Sequence, residues 1–334
     1  MNIEHPFAQY VRILGKGKRG SRGLTQDEAY ESMQMILNNE VEQCQLGAFL
    51  MLLRVKEETP EEVAGFVQAV RDTFEVPSDA TQVDLDWSSY AGKRRHLPWY
   101  LLAALLLSES GIKVFMHGAE GHTAGRIYTR DALQVLGLPY ANSFQEASDQ
   151  IQQNNFAYLP LEAMSPIMHD IIQLRPLLGL RSPVHTVARM FNPFNASYEI
   201  QGIFHPPYSD THQKAAVLLG QNHLSVLKGE GGEIERNPDN KTLVKSVHNG
   251  EMSEEEWPAM FTGPRHLKDE EMNLQRMLKI WNGSDDDEYA VASITGTVAV
   301  ALKLMSKADS IEEAEAQAKT MWNKRNPNRF EKVA

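Results

Sequence analysis

Residues 82–137 constrain the fold more than any other stretch, because they read as strand, loop, helix, strand, loop, helix. Gln82-Val83-Asp84-Leu85-Asp86-Trp87 alternates apolar with polar side chains, the period of a strand, and runs into the polar, basic loop Ser88-Ser89-Tyr90-Ala91-Gly92-Lys93-Arg94-Arg95-His96. Pro98 opens a helix whose body, residues 99–107, is almost wholly apolar and ends near Gly111. Ile112-Lys113-Val114-Phe115-Met116 follows as a second strand, rich in residues that suit a buried sheet, and His117-Gly118-Ala119-Glu120-Gly121 is its loop. Two strands joined through a helix are parallel. Ligands of open parallel sheets sit beyond the carboxyl ends of the strands, so both loops are expected to face one crevice.

The rest of the chain sets the frame. At 334 residues, one small and one large domain are expected, and 42% apolar with 23% charged residues supplies a large core. The lone Cys44 excludes an internal disulfide framework and fits a reducing compartment. The longest apolar run, residues 97–107, is about half of the ~20 residues that span a bilayer, and the N-terminus has no signal-like apolar core. The cytoplasm is therefore the expected compartment, with no membrane partner. A net charge of −11 argues against a uniformly basic coat for nucleic acid.

Positive charge is nevertheless concentrated. Gly15-Lys16-Gly17-Lys18-Arg19-Gly20-Ser21-Arg22-Gly23 carries four cations and no acid, the pattern either of a solvated loop or of a phosphate contact. Thr25-Gln26-Asp27-Glu28 and Thr59-Pro60-Glu61-Glu62 have the form of capping boxes and begin helices, with a second, largely buried helix over 46–54 between them. Residues 1–78 thus read as a small helical domain and 79–334 as an α/β domain. Alternating strands (156–160, 198–204, 224–227) and helices (164–178, 209–219) imply a mainly parallel central sheet, with part of residues 165–190 returning to the helical domain. His205, His212 and His223 lack metal-ligand spacing, and the acids at 285–288 suit the start of a helix.

Several motifs carry a family likeness. They are Leu46-Gly47-Ala48-Phe49-Leu50-Met51-Leu52-Leu53-Arg54-Val55-Lys56, Lys113-Val114-Phe115-Met116-His117-Gly118, Arg175-Pro176-Leu177-Leu178-Gly179-Leu180-Arg181, Asn192-Pro193 and Gly229-Glu230-Gly231-Gly232. In order and spacing along nearly the whole chain, the sequence resembles the anthranilate phosphoribosyltransferase superfamily, glycosyltransferase family 3. The resemblance implies a two-domain protein that dimerises through its helical domain, with a cleft that in the enzymes holds phosphoribosyl pyrophosphate, magnesium and an aromatic amine. The cleft equivalents are Ser88, Ser89, Tyr90, Gly92, His117, Gly118 and Arg175. Three of the family's features are eroded. The glycine-rich loop keeps only Gly92; Ala119 and Glu120 stand where the enzymes have Asn and Arg; and Ile234 with Glu235 stand at the magnesium-binding Asp-Glu pair, Glu235 being the one candidate ligand, with Glu233 as a stand-in. Arg175 matches the Arg that reads the acceptor's carboxylate in the enzymes, and packing between the domains suits it equally.

Two readings of function follow, and neither assigns a catalytic residue. In the first, the chain is a phosphoribosyltransferase-like protein, not an anthranilate phosphoribosyltransferase. It would need no cofactor and would bind single-stranded DNA or RNA, without strong sequence preference, through Lys16, Lys18, Arg19, Arg22, Lys93, Arg94 and Arg95, with Tyr90 and His96 available for stacking and Trp99 better suited to the core than to stacking. The resemblance is to a divergent, non-biosynthetic branch to which nucleic-acid binding is attributed. In the second, the chain is a transferase using phosphoribosyl pyrophosphate, magnesium and an unidentified acceptor held in the cleft.

Overall fold

The computed structural model describes residues 4–331. The amino-terminal part is four helices, α1 (Ala8–Gly15), α2 (Gln26–Leu37), α3 (Gln43–Lys56) and α4 (Pro60–Arg71). Both expected capping boxes form. Thr25 accepts from the Glu28 amide at 3.2 Å while Glu28 takes the Thr25 amide at 2.9 Å, and Thr59 with Glu62 repeats the exchange. The helices close on Phe7, Phe49 and Phe66, which meet edge to face.

The α/β part follows as β1 (Leu85–Ser89), α5 (Trp99–Glu109), β2 (Val114–Gly118), α6 (Thr129–Val135), α7 (Phe144–Asn154), β3 (Phe156–Pro160), α8 (Leu161–Met164), α9 (Pro166–Gln173), α10 (Arg175–Leu178), α11 (Val184–Val187), β4 (Tyr198–Ile203), α12 (Tyr208–Leu218), β5 (His223–Lys228), β6 (Thr242–His248), β7 (Glu251–Trp257), α13 (Gln275–Asn282), α14 (Glu288–Leu304) and α15 (Ile311–Lys324). The seven strands form one sheet in the order β3-β2-β1-β4-β5-β6-β7, parallel through β5 and antiparallel beyond. The order reverses direction between β1 and β4, which opens a crevice beyond their carboxyl ends. One face packs α5, apolar all round, against α13, α14 and α15; the other continues into the helical domain, sharing a core with Met168, Ile171 and Ile172 of α9. Arg71 of α4 secures the junction by donating to the carbonyls of Met190 and Phe191, both at 2.8 Å.

Three local expectations are corrected. The first strand begins at Leu85, and its polar residues do not face water: Asp86 is fully buried. The helix over 164–178 is broken into α8, α9 and α10: Ser165 precedes a proline and is held extended at φ −153° and ψ 90°, which parts α8 from α9, and α10 restarts after Leu174 with Pro176 in its first turn. The β6–β7 hairpin adds two strands beyond those expected. Its Asn249-Gly250 turn has φ of 51° and 83°, the positive values a two-residue hairpin requires. Among the described residues, no helix is long and apolar enough to cross a membrane.

Candidate anion-binding site

The loop after β1 is held by two glutamates from the turn after β5. Gly92 (φ 68°), Gly231 (φ 68°) and Gly232 (φ 103°) take backbone conformations that side-chain-bearing residues avoid, and so bring the two segments together. The Glu233 carboxylate accepts the amides of Ala91 and Gly92, both at 2.6 Å, and the Ser89 hydroxyl at 2.9 Å. Glu230 takes the next two amides, Arg94 at 3.1 Å and Arg95 at 2.7 Å. Arg126 closes the loop from the other side by donating to the carbonyls of Ala91 and Gly92 at 2.7 and 3.2 Å.

This packing corrects several expectations. Lys93 is not a surface cation: it is buried, and its ammonium pairs with Glu235 and, at 3.0 Å, with Glu230. Glu235 is not a magnesium ligand, since one oxygen meets Lys93 and the other takes the Tyr100 amide at 2.9 Å. Glu233 cannot replace it, both its oxygens being engaged. The described residues hold no cluster of three or more acidic, His or Cys groups suited to a metal, and the carboxylates present do not fit magnesium. Tyr90 and Trp99 are buried, so neither can stack a base, and His96 already stacks on Tyr289 with ring centroids 4.3 Å apart. Tyr90 instead meets His117 Nδ1 at 2.7 Å, and His117 Nε2 lies 3.1 Å from Asp86. Ser88, Ser89, His117 and Gly118 are interior, and neither they nor Tyr90, Gly92 and Arg175 line the two cavities described below. Arg175 donates to the His122 carbonyl at 2.9 Å and to Thr123 Oγ1 at 2.6 Å, holding the loop that follows β2.

Against the loop after β1 and the turn after β5 lies a cavity of about 690 Å³ whose walls include Arg94, Arg95, Arg126, Lys228, Lys241 and Arg265, with the half-exposed Phe204 at its edge. Of these six cations, the sequence reading singles out only Arg94 and Arg95; the others come from four further segments, and nothing in their local sequence announces convergence. Ile203, Phe204 and Gly231 also line a smaller chamber of about 110 Å³ beneath, between the domains, with Arg181, Ser182, His185 and Arg189 on its walls. There positive charge crowds: burial, then Arg126, Arg189 and Arg175, lower Arg181 to about 10, and burial with Arg181 lowers His122 to about 3. Ser182 Oγ and His185 Nε2 are buried without a partner. Lys16, Lys18 and Arg19 are exposed on the loop before α2, Arg22 is taken by Glu28 at 2.6 Å, and none of the four lines either cavity.

The arrangement, a helical part joined to an α/β part whose loop after β1 is held by glutamates, has relatives. The profile described as "Glycosyl transferase family, helical bundle domain" matches residues 9–74, and "Glycosyl transferase family, a/b domain" matches residues 100–324. The chain belongs to glycosyl transferase family 3. Within that family it is 30% identical over 242 residues to an anthranilate phosphoribosyltransferase of Ignicoccus hospitalis, covering 72% of this chain and 70% of that protein. It is 26% identical over 236 residues to the uncharacterized protein YbiB of Escherichia coli, covering 70% and 73%. The fold matches the crystal structure of anthranilate phosphoribosyltransferase from Thermus thermophilus with a TM-score of 0.80 at 20% identity, over 99% of this chain and 97% of that one. The family accounts for the fold.

Proposed function

We propose that this glycosyl transferase family 3 protein binds single-stranded nucleic acid without strong sequence preference and does not transfer a phosphoribosyl group to anthranilate. The observation that carries this reading is the convergence of Arg94, Arg95, Arg126, Lys228, Lys241 and Arg265 on one cavity in a chain of net charge −11. The acids on the same wall, Glu230 and Glu235, are turned inward to Lys93 and to backbone amides; Lys241 is paired with Glu256 at 2.7 Å and Arg126 is held by the loop carbonyls, so the positive rim rests on Arg94, Arg95, Lys228 and Arg265. Such side chains read phosphate rather than base edges. The exposed Lys16, Lys18 and Arg19 would extend the track. The test is a salt titration with unstructured oligonucleotides of unrelated sequence, beside an assay with anthranilate, phosphoribosyl pyrophosphate and magnesium. Steep, sequence-independent salt dependence and no turnover are expected; no binding at low salt, or turnover at ordinary enzymatic rates of ~1 to 10³ per second, refutes the reading.

A second reading, a transferase or binder acting on a small anion, draws support from the inner chamber, where Ser182 Oγ and His185 Nε2 lack partners beside Arg181 and Arg189. Crystals soaked with phosphoribosyl pyrophosphate and magnesium separate the two readings.

We further propose a homodimer through the helical domain, in the cytoplasm. On α3, Cys44, Ala48 and Val55 form an outward stripe, with Val55 79% exposed, and a groove separates it from Ala8 and Val11 of α1. Sedimentation equilibrium giving a 37.6 kDa species at micromolar concentration would refute dimerisation.

A further inference from the structure

We propose that Glu233 is a built-in ligand of an oxyanion site: its carboxylate stands where a free phosphate would otherwise bind, against the amides of Ala91 and Gly92 and the Ser89 hydroxyl, with the guanidinium of Arg189 beside the adjoining turn. The donor set is that of an anion receptor. Two consecutive amides converge on one oxygen at 2.6 Å each, and a hydroxyl donates to the other at 2.9 Å. Two guanidinium groups bracket the turn that delivers the carboxylate: a Cβ on Gly231 would lie 2.6 Å from Arg126 Nη1, and one on Gly232 3.2 Å from Arg189 Nη2. Arg189 is buried, donates to the His185 carbonyl, and has Glu233 as the foremost carboxylate acting on its charge. A charge is costly to bury unless it is hydrogen-bonded, and the Glu233 carboxylate is satisfied by two amides and a hydroxyl, while the charge of Glu233 only partly offsets the burial that lowers Arg189.

The built-in carboxylate changes how the protein handles phosphate. A loop of amides that must wait for its anion is disordered or strained until the anion arrives. The loop after β1 has its anion covalently present, so it is set before any ligand binds, and Glu230 does the same for the amides of Arg94 and Arg95. The floor of the cleft is thereby closed to inorganic phosphate and pyrophosphate, and phosphate groups are left the cationic rim above it. The inference stands whether or not the rim binds nucleic acid.

The test is thermal and urea unfolding of the full chain, of E233A and of E233Q, in chloride and in inorganic phosphate or pyrophosphate at matched ionic strength. E233A opens the site and is expected to be stabilised saturably by the oxyanion; at a concentration a hundredfold above Kd its unfolding constant falls about a hundredfold. Wild type and E233Q, which fill the space, are expected to show at most the weak response of the cationic rim, far below that of E233A. E233A that unfolds in chloride but refolds in phosphate supports the proposal. E233A indifferent to phosphate, unfolded in both buffers, or matched by wild type in its response overturns it. In the double variant E233A/R189M the phosphate response is expected to drop at least tenfold in affinity, and an unchanged response removes Arg189 from the site.

Discussion

The ammonium of Lys93 and the carboxylate of Glu235 form an ion pair inside the α/β domain, with side chains 1% and 3% exposed. Burial works against the Lys93 charge, but the carboxylates of Glu235 and Glu230 outweigh it and raise the pKa above the ordinary lysine value. The pair joins the loop after β1 to the turn after β5 and so fixes the mouth of the crevice. Removing one partner strands a buried charge, so Lys93→Ala is expected to cost about 3–5 kcal/mol in urea unfolding, and the double variant Lys93→Met/Glu235→Gln much less. A loss below about 1 kcal/mol for Lys93→Ala would show that the pair is not structural.

Acid is expected to destabilise the protein through buried histidines. Burial, then Arg181, lowers His122 to about 3, and burial, then Arg189, lowers His212 to about 3, from 6.5. Each is neutral in the folded protein and takes a proton on unfolding below pH 6.5, so the unfolded state binds more protons there and stability falls as the pH drops from 6.5 toward 3. His212→Asn loses the contact with Gln201 and is less stable at neutral pH, but its stability is expected to decline less steeply over that window. Urea midpoints measured from pH 7 to 4 check this: a variant curve parallel to wild type contradicts the assignment.

Glu120 acts in the opposite direction. Burial raises its carboxyl from 4.5 to about 7, against the opposing pull of Arg130. Its protonated form is favoured by folding, so its contribution is present below pH 4.5 and is lost as the pH rises from there to about 7. Glu120→Gln keeps an acceptor for the Tyr158 hydroxyl and removes the charge. The variant is expected to match wild type near pH 4 and to exceed it in melting temperature at pH 8. Equal melting temperatures at pH 8 would mean that the Arg130 pair compensates the buried charge in full.

The fold is legible in the sequence because its signals are local: capping boxes at Thr25 and Thr59, an apolar helix after Pro98, and strands at the expected spacing. The Asn249-Gly250 turn is equally local, and that dipeptide alone is enough to mark the hairpin it makes. The site is far less legible. Lys93, Arg94 and Arg95 are consecutive and alike in sequence, yet the first is interior and the other two are outside, because acids some 140 positions later, Glu230 and Glu235, claim the first. Asp86 reads as a solvent-facing strand residue but lies buried beside His117, with its register partner on β4, Glu199, raised to about 8 by burial. Long-range pairing of charge decides such positions, and no local pattern encodes it.

The cations that line the rim determine which substitutions test nucleic-acid binding. Arg94, Arg95 and Lys228 line the cavity with exposed side chains, and Glu230 holds the backbone amides of Arg94 and Arg95, not their guanidinium groups, so alanine there leaves the loop in place. Each phosphate contact contributes about 0.7 to the log–log salt slope on single strands, so the triple variant Arg94→Ala/Arg95→Ala/Lys228→Ala is expected to flatten the slope by as much as ~2 with a melting temperature close to wild type. Lys16→Ala/Lys18→Ala/Arg19→Ala removes three more exposed cations and is expected to flatten it by a similar amount. Arg22→Ala should leave the slope unchanged, because its guanidinium is already bound bidentately by Glu28. Lys93 is unsuited to this test, since its loss unfolds the site rather than discharging a surface. The decisive measurement is the slope for wild type, each triple variant and their combination on unstructured oligonucleotides of unrelated sequence. Additive flattening identifies one electrostatic track over both clusters. Slopes that all equal the wild-type value would remove both from the nucleic-acid interface and favour the second reading, with the inner chamber beside Arg181 and Arg189 as the ligand site.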